Sequence, residues 1–156
     1  INYFDYFWPL WRTFWRYRFA PMTVEVDGEQ IFDGPCLVFV GNISRYAIGL
    51  NILEHADYSD GLLDVCVYKC AHRTHLVKHS ALTILQMHPR CGDVVYRQGR
   101  NITVDSPNPN LATEVDGDPG PAVPVRITII PKAVRVMVPE GAKPAGIRAQ
   151  ILRALK

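Results

Sequence analysis

Apolar and polar positions alternate along much of this chain. Val125, Ile127 and Ile129 alternate with Arg126 and Thr128, and beyond a break at Pro131, Val134, Val136 and Val138 alternate with Arg135 and Met137. A period of two marks a strand with one buried face, so residues 125–130 and 133–138 are predicted strands. Residues 22–27 and 31–40 read the same way and are joined by Asp27, Gly28 and Glu29; residues 94–97 and 102–104 flank a turn at Gly99. Residues 62–68 are apolar except for Asp64, the pattern of a short buried strand. Helical spacing is confined to three places. Residues 9–19 carry an aromatic and arginine stripe, with Pro9 placed in the first turn, where its missing N–H does no harm. Residues 73–88 put Val77, Ala81, Ile84 and Leu85 on one side, predicted to face the core, and His75, His79, Thr83 and Gln86 on the other, predicted to face water. Residues 144–156 form a weaker terminal helix through Ile147, Ile151, Leu152 and Leu155.

The expected architecture is therefore mainly β: a β-sandwich with one packed internal helix and further helices at the ends. Three regions are expected: 1–21, an N-terminal helix facing another domain or a membrane; 22–140, the β-rich domain; and 141–156, a tail. The 156 residues suffice for one domain with a core, and 48% hydrophobic with 21% charged residues is ordinary for a folded protein. A net charge of +2 argues against nucleic acid as a partner, which would require a basic stripe. Cys36, Cys66, Cys70 and Cys91 lack the spacing of a zinc or redox pair, so buried reduced thiols are expected. The chain starts at Ile1, which suggests a piece of a longer protein. The stretch to Phe19 is interrupted by Asp5, Arg12, Arg16 and Arg18 and is not a membrane span. The expected location is cytoplasmic, with peripheral membrane contact left open; oligomeric state is not legible.

The candidate chemistry lies in turns. Asp116, Gly117 and Asp118 follow Glu114 and Val115, and an Asp-Gly pair between apolar runs predicts a tight hairpin turn that projects its carboxylates. Asp27 and Gly28 form a second such tip, and neither is marked as catalytic by itself. A long loop runs from Gly41 and Asn42 to Asp60 and Gly61, a length often functional. His72, His75 and His79 share a helical side. They allow a metal reading, but no Glu or Cys completes a set, and a solvated face is preferred. Phosphate loops of the GxxxxGK type, GxGxxG and GxSxG are absent.

The order of parts resembles the C-terminal domain of the diacylglycerol kinase family of lipid kinases, which includes sphingosine and ceramide kinases and is distantly related to NAD kinases. The likeness covers residues 22–139: Gly41 and Asn42, then Asp60, Gly61, Leu62, Leu63, Asp64 and Val65, a helix, and Val115 to Asp118 ahead of the final strands. The resemblance implies an ATP-dependent lipid kinase whose other, N-terminal nucleotide-binding half carries a Gly-Gly-Asp-Gly-Thr motif not found in this chain. It implies that the family's Asp-Gly-Glu turn falls on Asp116, Gly117 and Asp118, with Asp118 as general base and the turn bordering the nucleotide. The earlier Asp27, Gly28, Glu29 matches the tripeptide literally but sits where the domain begins.

The resemblance further implies that Asp57 and Asp60, with the Leu62 carbonyl, hold a structural Mg²⁺ through oxygen ligands. An Asp-Gly turn capping the following strand accounts for Asp60 equally well. Two departures stand out. Asp118 replaces the usual Glu, and a side chain shorter by one methylene reaches about 1 Å less, a displacement able to cost about 10²-fold in rate. Ala47 and Ile48 replace part of a glycine run between Tyr46 and Gly49. Two other functions stay open: a lipid-binding β-sandwich without catalysis, and a kinase of a small polar substrate such as NAD.

Overall fold

The computed structural model describes residues 4–46, 50–135 and 137. The predicted tail helix at 144–156, residues 136 and 138 of the predicted 133–138 strand, and the Ala47 and Ile48 departure lie outside them.

The architecture is mainly β, and every strand pairing is antiparallel. Strands β1 (Pro21–Val26) and β2 (Glu29–Gly41) make the first hairpin, turning at Asp27 (φ 50°) and Gly28 (φ 86°). Two positive φ angles in succession define the type I′ geometry that Asp-Gly predicts. β2 then serves two layers. Up to Pro35 it pairs with β1, and from Cys36 it pairs with β5 (Leu63–Lys69). The change falls at Gly34, whose φ of 139° is accessible mainly to glycine. The remaining strands of the sheet are β6 (Val94–Gly99), β7 (Asn101–Asp105) and β10 (Val125–Thr128). Their order is β10-β7-β1-β2-β5-β6.

The core lies inside this bent sheet. Val24, Val65, Val67 and Ile102 are fully buried there, with Cys36, Val104 and Val123 beside them. Each fully buried aliphatic side chain contributes about 1.5–3 kcal/mol relative to exposure. The far face of β5 is covered too: Cys66, Tyr68 and Cys70 pack with Ile52, Leu53 and Ala56 of the long loop. That double cover is why residues 62–68 read as a nearly unbroken apolar run. The loop is not structureless, since β3 (Arg45–Tyr46) pairs with β4 (Leu50–Asn51) inside it. A separate hairpin, β8 (Ala112–Val115) with β9 (Asp118–Ala122), stands off the sheet.

Three expectations are corrected. Helix α1 (Phe4–Arg16) starts before Pro9, so the proline is internal. It removes only the hydrogen bond to the Asp5 carbonyl, one turn from the helix start, and the helix runs on through it. Residues 133–135 do not form a strand: they follow a turn at Lys132 (φ 59°), pair with no strand, and leave Val134 exposed.

The third correction is the largest. Helix α2 (Arg73–Ile84) buries its polar side, His79 and Thr83, while Val77, Ala81, Ile84 and Leu85 face outward. The sheet beneath decides this. The Tyr68 hydroxyl shares a 2.8 Å hydrogen bond with Thr83 Oγ1, and His79 Nε2 meets the Lys69 carbonyl at 3.1 Å. Those buried polar atoms require partners, and only the polar side of α2 supplies them. Gln86 (φ 54°) lies just past the helix end, and a 3₁₀ turn at His88–Arg90 follows, with His88 Nε2 on the Ile52 carbonyl at 3.0 Å.

Candidate active site: two Asp-Gly tips and an acidic loop

The two Asp-Gly tips share one backbone. Asp116 (φ 52°) and Gly117 (φ 95°) repeat the angles of Asp27 and Gly28 closely. Their carboxylates differ. Asp27 Oδ1 accepts the main-chain N–H of Asn101 at 2.8 Å, and both of its oxygens take that of Arg100, at 3.0 and 3.1 Å. Those hydrogen bonds, Asn101 first and then Arg100, hold the Asp27 carboxyl below the usual carboxylate range. Asp27 therefore fastens the first hairpin to the β6–β7 turn. Gly99 completes the joint: a side chain there would meet Val26 Cγ1 at 2.3 Å and Asp27 Oδ2 at 2.7 Å.

Asp116 and Asp118 make no side-chain hydrogen bond among the described residues, and both lie exposed at the tip. Specific hydrogen bonds tie the hairpin below them. Thr113 Oγ1 donates to the Pro121 carbonyl at 2.6 Å, and the Val123 N–H donates to the Leu111 carbonyl at 3.2 Å, with Val123 buried in the core. Gly120 packs so close to Thr113 that an added Cβ would lie 2.4 Å from its Oγ1. A paired stem, with a register shift between Ala112 and Glu114, thus carries two exposed carboxylates.

The structure places Asp57 and Asp60 in one tight turn. Asp57 Oδ1 accepts the Ser59 N–H at 2.9 Å and the Ser59 hydroxyl at 2.6 Å, while Asp60 Oδ1 accepts the Leu62 N–H at 2.8 Å. Gly61 (φ 74°) lets the chain turn into β5. The donors are all oxygen, which suits a hard divalent cation, and in each carboxylate the hydrogen bonds engage only Oδ1. Among the described residues no three His, Cys, Asp or Glu side chains gather as a metal cluster. The histidine reading therefore falls: His79 is buried against the Lys69 carbonyl, and burial holds it below the usual imidazole range.

Asp64 is the residue that sequence reasoning passed over. It is fully buried, receives the Tyr96 hydroxyl at 2.5 Å and is approached by Gln98 Nε2 at 3.2 and 3.3 Å. Tyr96 also accepts the His55 N–H at 3.2 Å, so one hydroxyl ties the acidic loop to the sheet. Burial raises the Asp64 carboxyl above its ordinary range, against the lowering effect of the Tyr96 and Gln98 hydrogen bonds. The available signal was a lone acid in an apolar strand. Cys36, Cys66 and Cys70 are free and buried as expected, whereas Cys91 is free but only half-buried. A shallow cavity of about 350 Å³ lies elsewhere, between Tyr17, Arg18 and Phe19 at the foot of α1 and Ala71, His72 and Arg73 at the head of α2.

Fold and turns together define a mainly β, sandwich-like domain that carries two Asp-Gly hairpin tips. Residues 2–138 match the family described as the YegS C-terminal NAD kinase beta sandwich-like domain, and the chain belongs to that family. Curated diacylglycerol kinases of Mycobacterium tuberculosis, strains CDC 1551 / Oshkosh and H37Rv, are each 31% identical over 125 residues, 80% of this chain and 40% of theirs. The chain thus spans about two-fifths of the length of those relatives. Among solved structures, a diacylglycerol kinase from Bacillus anthracis str. Sterne aligns with a TM-score of 0.60 at 17% identity, covering 79% of this chain and 42% of that one. A second chain from the same organism aligns with a TM-score of 0.52 at 16% identity, over 77% of this chain and 41% of that one. At such identities the structural likeness speaks for the fold.

Proposed function

We propose that this chain is the lipid-substrate part of an ATP-dependent kinase that phosphorylates a primary hydroxyl of diacylglycerol or a similar lipid. One observation carries the reading. Of two tips with the same backbone, the Asp27 carboxylate is fully engaged by Arg100 and Asn101, whereas Asp116 and Asp118 have no side-chain hydrogen bond among the described residues.

Phosphoryl transfer needs mainly alignment and a carboxylate within reach of the attacking hydroxyl. Asp118 accepts the hydroxyl proton as the lipid oxygen bonds to the γ-phosphorus of ATP and ADP leaves. Asp116 and Gly117 border the nucleotide. Asp57, Asp60 and the Leu62 carbonyl would hold Mg²⁺, whose charge stiffens that loop. The ATP-binding half is a separate domain, so the chain alone transfers no phosphate. Reduced thiols and the use of ATP fit a cytoplasmic protein that meets its lipid at the membrane surface.

The test is ATP-dependent phosphorylation of diacylglycerol in mixed micelles by the intact protein. Asp118→Ala should lower kcat by about 10²–10⁴-fold, the range for loss of a general base. Asp118→Glu should retain or raise the rate. A wild-type rate from Asp118→Ala would remove this residue from the mechanism.

A further inference from the structure

We propose that α1 and α2 together form the surface by which this protein docks on an anionic lipid bilayer. Docking there rests on the lipid-kinase reading, since a kinase whose substrate stays in the bilayer has to reach it, and it gives that reading a physical surface.

The outward side of α2 carries an apolar stripe beside the exposed Arg73, Thr74, Lys78 and Ser80, without a covering element among the described residues. Ile84 is 68% and Leu85 65% exposed, and Val77, Ala81 and Met87 are exposed with them. Val77, Ala81, Ile84 and Leu85 lie at the spacing of one helical face, opposite the buried His79 and Thr83. A contiguous exposed apolar face of this kind marks a contact with another phase or molecule. On α1, Trp8, Trp11 and Trp15 are exposed as well. The two helices meet where the Arg73 guanidinium lies 5.1 Å from the Trp15 ring centre.

Charge selects the occupant. Between Asp5 and Glu25, and again between Asp64 and Asp93, the chain has no Asp or Glu, so these segments hold none of the fifteen acids and seven of the seventeen Lys and Arg. With a net charge of +2 overall, the rest of the chain is acidic. Lys78 is neutralised by Asp93, but Arg12, Arg16, Arg18, Arg73 and Arg90 make no salt bridge among the described residues. Apolar side chains, tryptophans and unopposed arginines on and beside one pair of helices match the acyl boundary, the headgroup level and the phosphates of an anionic membrane.

The experiment is co-sedimentation of the intact protein with phosphatidylcholine vesicles, with and without phosphatidylglycerol, alongside tryptophan emission. Binding and a blue shift should require phosphatidylglycerol and fade at high salt. The double variant Ile84→Ser/Leu85→Ser should bind at least about tenfold more weakly, because two apolar side chains no longer enter the bilayer. Arg12→Gln/Arg16→Gln should lose about fivefold per arginine. Both variants alter exposed residues, and circular dichroism should match the wild type. Wild-type vesicle binding by both variants, or equal binding to neutral vesicles, would overturn the docking surface. So would variants that keep vesicle binding but lose association with the separately made N-terminal half, which would assign the face to a domain contact. An intact protein that binds through this face yet phosphorylates no diacylglycerol would support docking and remove the kinase reading.

Discussion

Replacing Tyr96 by Phe deletes one oxygen and probes the link between the acidic loop and the sheet. The hydroxyl donates to buried Asp64 at 2.5 Å and accepts the His55 N–H at 3.2 Å. A bond to a carboxyl is worth about 1.5–3 kcal/mol and one from a backbone amide about 1 kcal/mol. Gln98 keeps a hand on Asp64, so the carboxyl is not stranded, and the expected loss is about 3 kcal/mol. For a chain of this length that corresponds to a fall in Tm of about 9 °C. Urea denaturation at pH 7 measures the loss directly, and amide exchange should show His55 unprotected. In an Asp64→Ala background the same substitution should cost only about 1 kcal/mol, since the stronger partner is already gone. An equal cost in both backgrounds, or a cost under about 0.5 kcal/mol in the wild type, would refute the view that this hydroxyl acts through Asp64.

The other predictions concern titration and reactivity. His79 is buried and its imidazole is held below the usual value of 6.5, so the unfolded chain takes up its proton first; stability should be full above about pH 6.5 and fall as pH drops, by at most about 1.4 kcal/mol per unit, with His79→Gln removing that slope in pH-dependent denaturation. Asp27 is also lowered, below 3.8, by the Asn101 and Arg100 hydrogen bonds, so its contribution is present above that pH and lost as acid protonates it; Asp27→Ala should abolish this acid-side decline and speed amide exchange at Arg100 and Asn101. Burial pushes the Cys36 and Cys66 thiols up to about 12, so at pH 8 a disulfide reagent should modify half-buried Cys91 first and reach the others only on unfolding.

The strands and turns of this fold were largely legible because their signals are local. Asp27-Gly28 and Asp116-Gly117 dictate positive φ whatever surrounds them, and both turns form as expected. Alternation at residues 125–128 and the apolar run into β5 mapped directly onto strands. The orientation of α2 was not legible, because its apolar residues divide between the two sides: Leu76 and Leu82 are half-buried, whereas Val77, Ala81, Ile84 and Leu85 are exposed. Which side turns inward depends on the Tyr68 hydroxyl and the Lys69 carbonyl, which only the assembled sheet brings beneath it. The strand predicted at 133–138 does not form over 133–135 for a related reason: alternation marks a potential face but does not supply a pairing partner, and the chain turns at Lys132 without joining a sheet. At the candidate site the sequence offered two equivalent Asp-Gly tips. What separates them is a hydrogen bond spanning over seventy residues, from Asp27 to Arg100, beyond the reach of any short motif.

The partner change along β2 has a mechanical corollary. Since one continuous strand is a rib of both layers, neither sheet can peel away while the other stays intact. Heat or pulling force applied at either end should meet a single yielding event, and a backbone cut beside Gly34 would unmake both layers at a stroke.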